Sequence, residues 1–261
     1  MHPRERRREV LAYVNRFHDV TVEDLAEKLD VSRETIRRDL TRLESEGTLR
    51  KYHGGARSLE APHDDPHTES PYATREAHNI SEKRRIAAAA ARLFKPGDSI
   101  FMDTGSTTLA VANALSGVPA LTVITNSPRI AATIAEERQN KVFLIGGAYQ
   151  PEVGENLGPL ALEQITQFRA DHAILTIGAM DQASIMDFDL QEAEIARAMI
   201  ERADSVTIVA DHSKLDRRAV FEVARLNRIA RVITDRSPSP QLTAALAAAT
   251  VELIVVNDDF S

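Results

Sequence analysis

Two kinds of hydrophobic pattern divide the chain. In residues 1–57 the apolar positions recur at intervals of three and four, the period of an amphipathic α-helix. From residue 80 onward, short continuous aliphatic runs alternate with helical segments, as in a mainly parallel sheet covered on both faces. Residues 58–79 contain three prolines among polar residues and show no hydrophobic period. We therefore expect a small helical domain over residues 1–57, a linker over 58–79 and an α/β domain over 80–261.

The N-terminal pattern predicts three helices and a hairpin. Thr21 is followed three residues later by Asp24, a capping pair that starts the second helix. Ser32 is placed to cap the third helix, and Gly47 suits its end. A basic hairpin follows, in which Gly54 and Gly55 allow the backbone to approach a partner closely. The order helix, helix, turn, helix and wing is that of a winged helix-turn-helix domain.

The third predicted helix buries Ile36, Leu40 and Leu43 and carries arginines on its outer face. A solvated basic face, partly neutralised by Glu34 and Asp39, is the alternative. The preceding helix and turn favour a recognition helix in the major groove of double-stranded DNA, with phosphate or minor-groove contacts from the wing. The residues predicted to contact DNA are Ser32, Arg33, Thr35, Arg37 and Arg38 on the helix and Arg50, Lys51, His53 and Arg57 on the wing.

The first quarter of the chain also contains a dense series of motifs. They are Leu25-Ala26, the run from Val31 to Leu40, Leu43-Glu44, Gly47 and His53-Gly54-Gly55-Ala56. This series resembles the N-terminal signature of the DeoR family of bacterial transcriptional regulators. The resemblance implies an operator-binding head joined to an effector domain.

Composition narrows the alternatives. The chain of 261 residues has a formal charge of −7, but residues 1–57 hold 13 Lys and Arg against 11 Asp and Glu, net +2, and the remainder is net −9. A locally basic head can meet phosphates although the whole chain is acidic. The chain has no cysteine, which excludes disulfides and thiolate chemistry. We expect no metal, no cofactor, no membrane span and a cytoplasmic location.

In parallel sheets, ligands bind beyond the carboxyl ends of the strands. The first predicted strand, Ser99 to Met102, ends in Asp103-Thr104-Gly105-Ser106-Thr107-Thr108 and runs directly into a helix. Gly105 permits a sharp turn there, and the helix dipole favours an anion at its start. This loop predicts a phosphate cradle, although Ser106 or Thr107 could simply cap the helix.

Other strand ends are also small and polar, and Lys214 adds a cation. No Gly-x-x-x-x-Gly-Lys or Gly-x-Gly-x-x-Gly motif supports a nucleotide, so a phosphorylated sugar or polyol is the expected ligand. Asp187, Asp189 and Glu192 could accept hydrogen bonds from its hydroxyls, or the two aspartates could cap the following helix. The residues predicted to bind the effector are Asp103, Thr104, Gly105, Ser106, Thr107, Thr108, Thr125, Asn126, Gly146, Gly147, Gly178, Asp187, Asp189, Glu192, Asp211, Ser213 and Lys214.

The motifs at these strand ends resemble the ordered motifs of the DeoR effector domain. That resemblance implies a fold similar to ribose-5-phosphate isomerase and CoA transferases. The segment from Ser184 to Asp189, taken with Asp211 to Lys214, is similar to the glycerol-3-phosphate branch of the family. Glycerol 3-phosphate is therefore the first effector to consider.

Two functions are compatible with this sequence. The first is a repressor of a sugar or polyol catabolic operon, acting as a homodimer or homotetramer because paired heads read repeated half-sites. The second is a sugar-phosphate isomerase with an accessory DNA-binding head, which would need a carboxylate base tuned for proton abstraction. An intact DNA-binding head favours the regulator, and we predict no catalytic residue.

Overall fold

The computed structural model describes residues 3–17, 19–52, 54–58, 69, 72–115 and 117–256. The chain divides into two compact units, Met1–His63 and Asp64–Ser261. No helix among the described residues is long and apolar enough to cross a membrane.

The first unit is a winged helix-turn-helix domain, as predicted. Its elements are α1 (Pro3–Phe17), β1 (Asp19–Thr21), α2 (Val22–Leu29), α3 (Arg33–Ser45), β2 (Leu49–Tyr52) and β3 (Gly55–Ser58). The strands form an antiparallel sheet in the order β1-β3-β2. Strand β1 has three residues, too few for its alternation to be recognised in the sequence.

Side-chain caps fix where α2 and α3 begin. The backbone N–H of Asp24 donates to Thr21 Oγ1 at 3.1 Å, and the backbone N–H of Thr21 donates to Asp24 Oδ2 at 3.3 Å. This reciprocal pair is the predicted capping box. The Ser32 hydroxyl accepts from the Thr35 N–H at 3.2 Å and starts α3. Gly47 follows α3 with φ of 68°, a left-handed conformation that glycine adopts readily.

Asp39 lies on the inner face of α3, not on the outer basic face where the sequence analysis placed it. Its spacing from Ile36 and Leu43 puts it in the buried stripe of the helix, and it is only 4% exposed. Arg6 Nε of α1 donates to Asp39 Oδ2 at 2.5 Å, and Arg7 lies 3.6 Å from Oδ1. An ion pair therefore joins the N-terminal helix to the helix that carries the predicted DNA contacts.

The second unit alternates strands and helices. Its elements are α4 (Tyr72–Ala77), α5 (Ile80–Ala91), β4 (Ser99–Met102), α6 (Ser106–Leu115), β5 (Thr122–Thr125), α7 (Pro128–Ile134), β6 (Lys141–Leu144), β7 (Ala148–Gln150), β8 (Glu155–Leu157), α8 (Pro159–Thr166), β9 (Ala170–Leu175), β10 (Ala179–Met180), β11 (Ser184–Asp187), α9 (Leu190–Arg202), β12 (Ala203–Val209), β13 (Phe221–Arg225), β14 (Arg231–Thr234), α10 (Pro240–Ala248) and β15 (Glu252–Val255). Two 3-10 turns cover His212–Lys214 and Leu226–Arg228.

Seven of these strands form one parallel sheet in the order β15-β14-β12-β9-β4-β5-β6. They form the mainly parallel sheet that the short aliphatic runs after residue 80 predicted, which confirms the predicted α/β class. Successive residues of β4 face opposite sides of the sheet: Phe101 belongs to one buried cluster, and Ile100 and Met102 belong to the other. Helices cover both faces, so the strands carry no polar face and read as continuous hydrophobic segments.

Short antiparallel pairs extend this framework, and the sequence did not predict them. Strands β10, β11 and β13 form a small sheet, and β7 pairs with β8. Part of the expected linker is also ordered, because α4 lies in it and Tyr72 of that helix is only 7% exposed. The guanidinium groups of Arg75 and Arg129 each lie 5.5 Å from the centre of the Tyr72 ring. These additions supply several of the charged groups described below.

Replacing Asp39 with alanine should destabilise α3, because the replacement leaves the Arg6 guanidinium buried without its carboxylate. We expect a loss of about 3 kcal/mol, which corresponds to roughly hundredfold faster exchange of the α3 amide hydrogens. Hydrogen exchange on the full-length protein measures this at the residues concerned. Glu34→Ala is the matched control, because its exposed pair with Arg38 should contribute at most about 0.5 kcal/mol. Equal exchange in both variants would contradict a structural role for the Asp39 pair.

Candidate functional site

The outer face of α3 presents Arg33, Arg37 and Arg38 to solvent. Arg33 lies 3.2 Å from Glu23, and Arg38 lies 3.3 Å from Glu34, with all four side chains largely exposed. Exposed pairs of this kind contribute little to stability. The guanidinium groups can therefore exchange these partners for phosphates or base edges at small cost.

The other residues predicted to contact DNA differ in whether their side chains already have hydrogen-bond partners in the protein. Ser32 is committed to capping α3, and its hydroxyl lies 2.9 Å from that of Thr35. Arg50 is exposed on β2, whereas the Lys51 ammonium donates to Thr41 Oγ1 on α3 at 2.7 Å and so ties the wing to the helix. His53 and the side chain of Arg57 lie outside the described residues.

In the second unit, the carboxyl end of the sheet gathers the predicted strand-end residues. Asp103 follows β4, is 8% exposed and accepts from the Thr176 N–H at 3.0 Å. Burial raises the pKa of Asp103 well above its usual value, although the Thr176 bond opposes that shift. Asp103 thus joins the ends of two neighbouring strands, β4 and β9.

Gly105 serves a different purpose from the one its sequence context indicated. It does not adopt a left-handed conformation; a Cβ atom there would lie 2.4 Å from Cγ2 of Thr176. The absence of a side chain lets the loop after β4 pack against the end of β9. A bulky residue at this position would disturb that junction as well as fill the loop. Helix α6 begins at Ser106, and the Thr108 hydroxyl donates to Gly105 O at 3.1 Å.

Three carboxyl groups from the smaller strands and α9 lie at this same edge. Burial raises the pKa of Glu155 on β8 to about 7 and that of Asp187 on β11 to about 6. Burial, reinforced by the charges of Glu155 and Asp187, raises the pKa of Glu192 on α9 to about 10. Asn126, after β5, donates to Glu155 Oε2 at 2.9 Å. The Asn126 and Thr104 side chains oppose the effect of burial on the pKa of Glu155, and its second oxygen, Oε1, is buried.

Two lysines face the carboxyl groups. Lys83 of α5 is buried, donates to the backbone oxygens of Arg75 and His78, and lies 4.0 Å from Asp211. Burial lowers the pKa of Lys83, and the Asp211 charge opposes that shift. At Asp211, burial favours the neutral form, but hydrogen bonds from Ser213 and the charges of Lys83 and Lys214 outweigh it and lower its pKa. The Lys214 ammonium, in turn, lies against Glu69.

Glu69, Asp187 and Glu192 bring carboxylate oxygens within 4.8 Å of one another. Oxygen ligands at such spacing are those that a hard divalent cation prefers. Here, however, the positive charge facing Glu69 comes from Lys214 and from Arg75, whose NH1 lies 3.0 Å from the Glu69 carboxylate. Lys214 and Arg75 therefore already supply positive charge to this acidic cluster.

Some predicted residues lie apart from the cluster or have structural duties. Asp189 is exposed and caps α9, accepting from the Gln191 N–H at 2.7 Å. Ser213 is exposed and donates to Asp211. A Cβ on Gly178 would lie 2.8 Å from the Phe188 ring, so this glycine permits close packing. The remaining predicted residues at this sheet edge are the buried Thr104, Thr107 and Thr125 and the half-buried Gly146 and Gly147.

Four charged residues of the cluster were missed in the sequence analysis: Glu69, Arg75, Lys83 and Glu155. Glu69 and Arg75 lie in the predicted linker, and Glu155 lies in an unpredicted hairpin. Lys83 had a recognisable signal. It precedes Ile86, Ala87 and Ala90 at spacings of three, four and seven, which places a lysine on the buried stripe of α5.

A winged helix-turn-helix unit followed by an α/β unit with a charged site at its sheet edge defines a DNA-binding regulator with a sensor domain. Residues 6–61 match the family described as DeoR-like helix-turn-helix domain, and residues 78–236 match the DeoR C terminal sensor domain. The chain belongs to the DeoR family, which confirms the resemblance drawn from its motifs.

Named relatives are similar over nearly their whole length. The HTH-type transcriptional repressor CsqR of Escherichia coli is 31% identical over 241 residues, covering 92% of this chain and 90% of that protein. The glycerol-3-phosphate regulon repressor of Escherichia coli is 34% identical over 235 residues, covering 90% and 91%. The HTH-type transcriptional repressor GlcR of Bacillus subtilis is 31% identical over 259 residues, covering 99% and 98%. These relatives are regulators rather than enzymes.

Solved structures overlap with part of the chain. Ribose 5-phosphate isomerase A from Methanocaldococcus jannaschii aligns with a TM-score of 0.39 and 15% identity, covering 52% of this chain and 55% of that one. A probable sor operon regulator from Shigella flexneri aligns with a TM-score of 0.40 and 14% identity, covering 71% and 88%. The expected likeness to CoA transferases stays a prediction.

The raised pKa of Glu155 makes the stability of the second unit depend on pH. A proton held more tightly in the native state stabilises it most below the unfolded pKa, and this contribution is lost as pH rises through the native pKa. For Glu155 the loss falls between pH 4.5 and about 7. Raising the pH from 5 to 8 should therefore destabilise the wild type, by on the order of 2 kcal/mol, relative to Glu155→Gln.

Thermal melting of both proteins across that pH range measures the difference, with about 2 to 4 °C expected for each kcal/mol. Glu163→Gln is the control, because Glu163 is exposed on α8 and should follow the wild type. Parallel pH profiles for the wild type and Glu155→Gln would show that Glu155 titrates normally.

Proposed function

We propose that this DeoR-family regulator is a repressor of a sugar or polyol catabolic operon, controlled by a phosphorylated sugar or polyol that binds at the carboxyl end of the seven-stranded sheet. One observation carries the proposal: buried carboxyl groups and cations converge at the edge where α/β sheets bind ligands. The repressors named among its relatives support the direction of control.

The cations suit the phosphate of such a ligand. Lys214 and Arg75 lie together at the cluster, and Lys83 lies 4.0 Å from Asp211 nearby. An ammonium and a guanidinium bind phosphate by charge-assisted hydrogen bonds, which are stronger than neutral ones. The start of α6, immediately after Gly105, adds a favourable dipole at the same sheet edge.

The carboxyl groups suit hydroxyls. A carboxylate accepts hydrogen bonds only, whereas a protonated carboxyl can also donate one. Glu192, with a pKa of about 10, is protonated near neutral pH, and Glu155, with a pKa of about 7, is divided between both forms. The cluster therefore offers donors as well as acceptors to a polyol. This match supports a polyhydroxylated ligand over a simple anion.

The isomerase alternative lacks support from the relatives, which are named as regulators. Raised pKa values are common where ligands bind and do not by themselves make a base. Glycerol 3-phosphate is the first effector that we propose to test, because the glycerol-3-phosphate regulon repressor is among the relatives.

We further propose that the protein is a cytoplasmic homodimer or homotetramer, since helix-turn-helix heads read paired half-sites. Phe143 and Leu144 are exposed on the edge strand β6, and a second copy of the chain packed against this strand would bury them.

The arginines of α3 should contribute most of the sequence-specific affinity. Arg37→Ala should weaken binding to a duplex selected as the operator by about 1 to 3 kcal/mol, and Arg37→Ala with Arg38→Ala should weaken it further. Fluorescence anisotropy at one fixed salt concentration measures both. Arg169→Ala is the control, because Arg169 is an exposed arginine of the second unit. Wild-type affinity in the double variant would remove α3 from the interface.

Lys214 should be required for effector binding, because its ammonium is one of the cations at the cluster. Among a panel of sugar and polyol phosphates, an effector should raise the melting temperature by binding the native state. Lys214→Ala should weaken that effector at least tenfold, an effect of about 1.4 kcal/mol or more. Lys95→Ala, which removes an exposed lysine between α5 and β4, is the control. NMR of the incubated ligand should show no turnover; isomerisation by the wild type would revive the enzyme alternative.

A further inference from the structure

Glu69, which precedes α4 in the chain, places a carboxylate inside the candidate site. Its two oxygens are held separately: Lys214 Nζ lies 2.5 Å from Oε1, and Arg75 NH1 lies 3.0 Å from Oε2. The side chains of all three residues are at least 86% buried. Glu69 therefore occupies the two cations best placed to receive an anionic ligand.

The other groups around Glu69 are acidic. Its carboxylate lies within 4.8 Å of the carboxylate oxygens of Asp187 and Glu192. After burial, the charge of Glu69 is the largest contribution that raises the pKa of Asp187, and it also raises that of Glu192. Glu69 is thus retained by two cations against the charge of Asp187, so its position depends on Lys214 and Arg75 remaining available.

We propose that Glu69 is an internal competitor which the effector displaces, coupling effector binding to release of the Glu69 side chain from Lys214 and Arg75. This inference rests on the proposed effector class. A phosphate monoester carries about −1.5 to −2 charge near pH 7 and has three acceptor oxygens, so it competes strongly with one carboxylate for an ammonium and a guanidinium. Departure of Glu69 also relieves its repulsion with Asp187, and it leaves the oxygens of Asp187 and Glu192 available to ligand hydroxyls.

The position of Glu69 in the sequence gives this exchange a regulatory consequence. It lies shortly after the boundary between the two compact units, Met1–His63 and Asp64–Ser261. A ligand shifts an equilibrium between two states only if it binds them unequally. An effector that must displace Glu69 binds the state with this side chain released more tightly than the state in which Glu69 is paired with Lys214 and Arg75. Competition for Lys214 and Arg75 is therefore sufficient to create that inequality.

The test is Glu69→Gln, which removes the competing charge while keeping the size and polarity of the side chain. Calorimetry at fixed salt should show that inorganic phosphate, glycerol 3-phosphate or glucose 6-phosphate binds the variant at least about tenfold more tightly than the wild type. Without effector, the operator affinity of Glu69→Gln should also move towards that of the effector-saturated wild type. Glu69→Ala should reproduce both changes, and melting curves will confirm that each variant is folded.

Glu76→Gln is the matched control. Glu76 lies seven residues further along the chain, on α4, but its ion pair with Arg129 is exposed, so its replacement should leave phosphate and operator affinity unchanged. Equal phosphate affinity in the wild type and both Glu69 variants would overturn displacement while leaving the proposed effector class intact. If neither the wild type nor any variant binds the three phosphates, the effector class and the displacement inference are both wrong.

Discussion

Burial of charge at the carboxyl end of the parallel sheet is the constraint on which the second unit depends. Asp103, Asp187 and Asp211 are all nearly inaccessible to water, where an isolated carboxylate is costly. Each is stabilised by a different means. Asp103 and Asp187 accept backbone N–H groups, and Asp211 lies among lysines and a hydroxyl. The main sheet positions Asp103 and Asp211, and the small sheet positions Asp187, whereas Arg75 and Lys83 come from helices α4 and α5.

That division explains why the segment before α5 belongs to the sensor unit. Arg75 lies on α4, and Lys83 on α5 uses the carbonyl oxygens of Arg75 and His78 as acceptors. A buried lysine needs such partners, because burial alone would favour loss of its proton. Lys83 thus binds the α4 backbone to the same site in which it balances Asp211. The packing of α4 and the charge balance of the site therefore depend on the same lysine.

The sequence was sufficient to predict what depends on periodicity. Continuous aliphatic runs such as Ile100 to Met102 identified the seven parallel strands, and caps at Thr21 and Ser32 identified the starts of α2 and α3. It could not reveal β11, because all four of its residues are buried and no alternation remains to be read. Strand-end residues such as Asp103 were predictable from the rule that such ends meet at one sheet edge.

Residues brought in by tertiary packing were not predictable in this way. Glu155 reaches the site from a hairpin of three-residue strands, and Glu69 reaches it from a polar, proline-containing stretch with no periodicity. Their spacing to Lys214 or Asp187 along the chain carries no information about contact. Asp39 shows the opposite case: its position between Ile36 and Leu43 on the buried stripe was legible, but its charge suggested solvent exposure.

The combination of acids and cations also bears on why a sheet edge of this kind suits sensing. Proton abstraction requires one carboxylate, poised beside the reacting carbon and able to lose and regain a proton near the working pH. In this site several carboxyl groups share a buried region, and the charge on each raises the pKa of its neighbours. A ligand that supplies hydroxyls and an anion satisfies donors, acceptors and cations together, which yields affinity whether or not any bond in it reacts. The charge of Asp187 also makes the position of Glu69 sensitive to any anion that competes for Lys214 and Arg75, and such sensitivity is what a regulator requires of its ligand site.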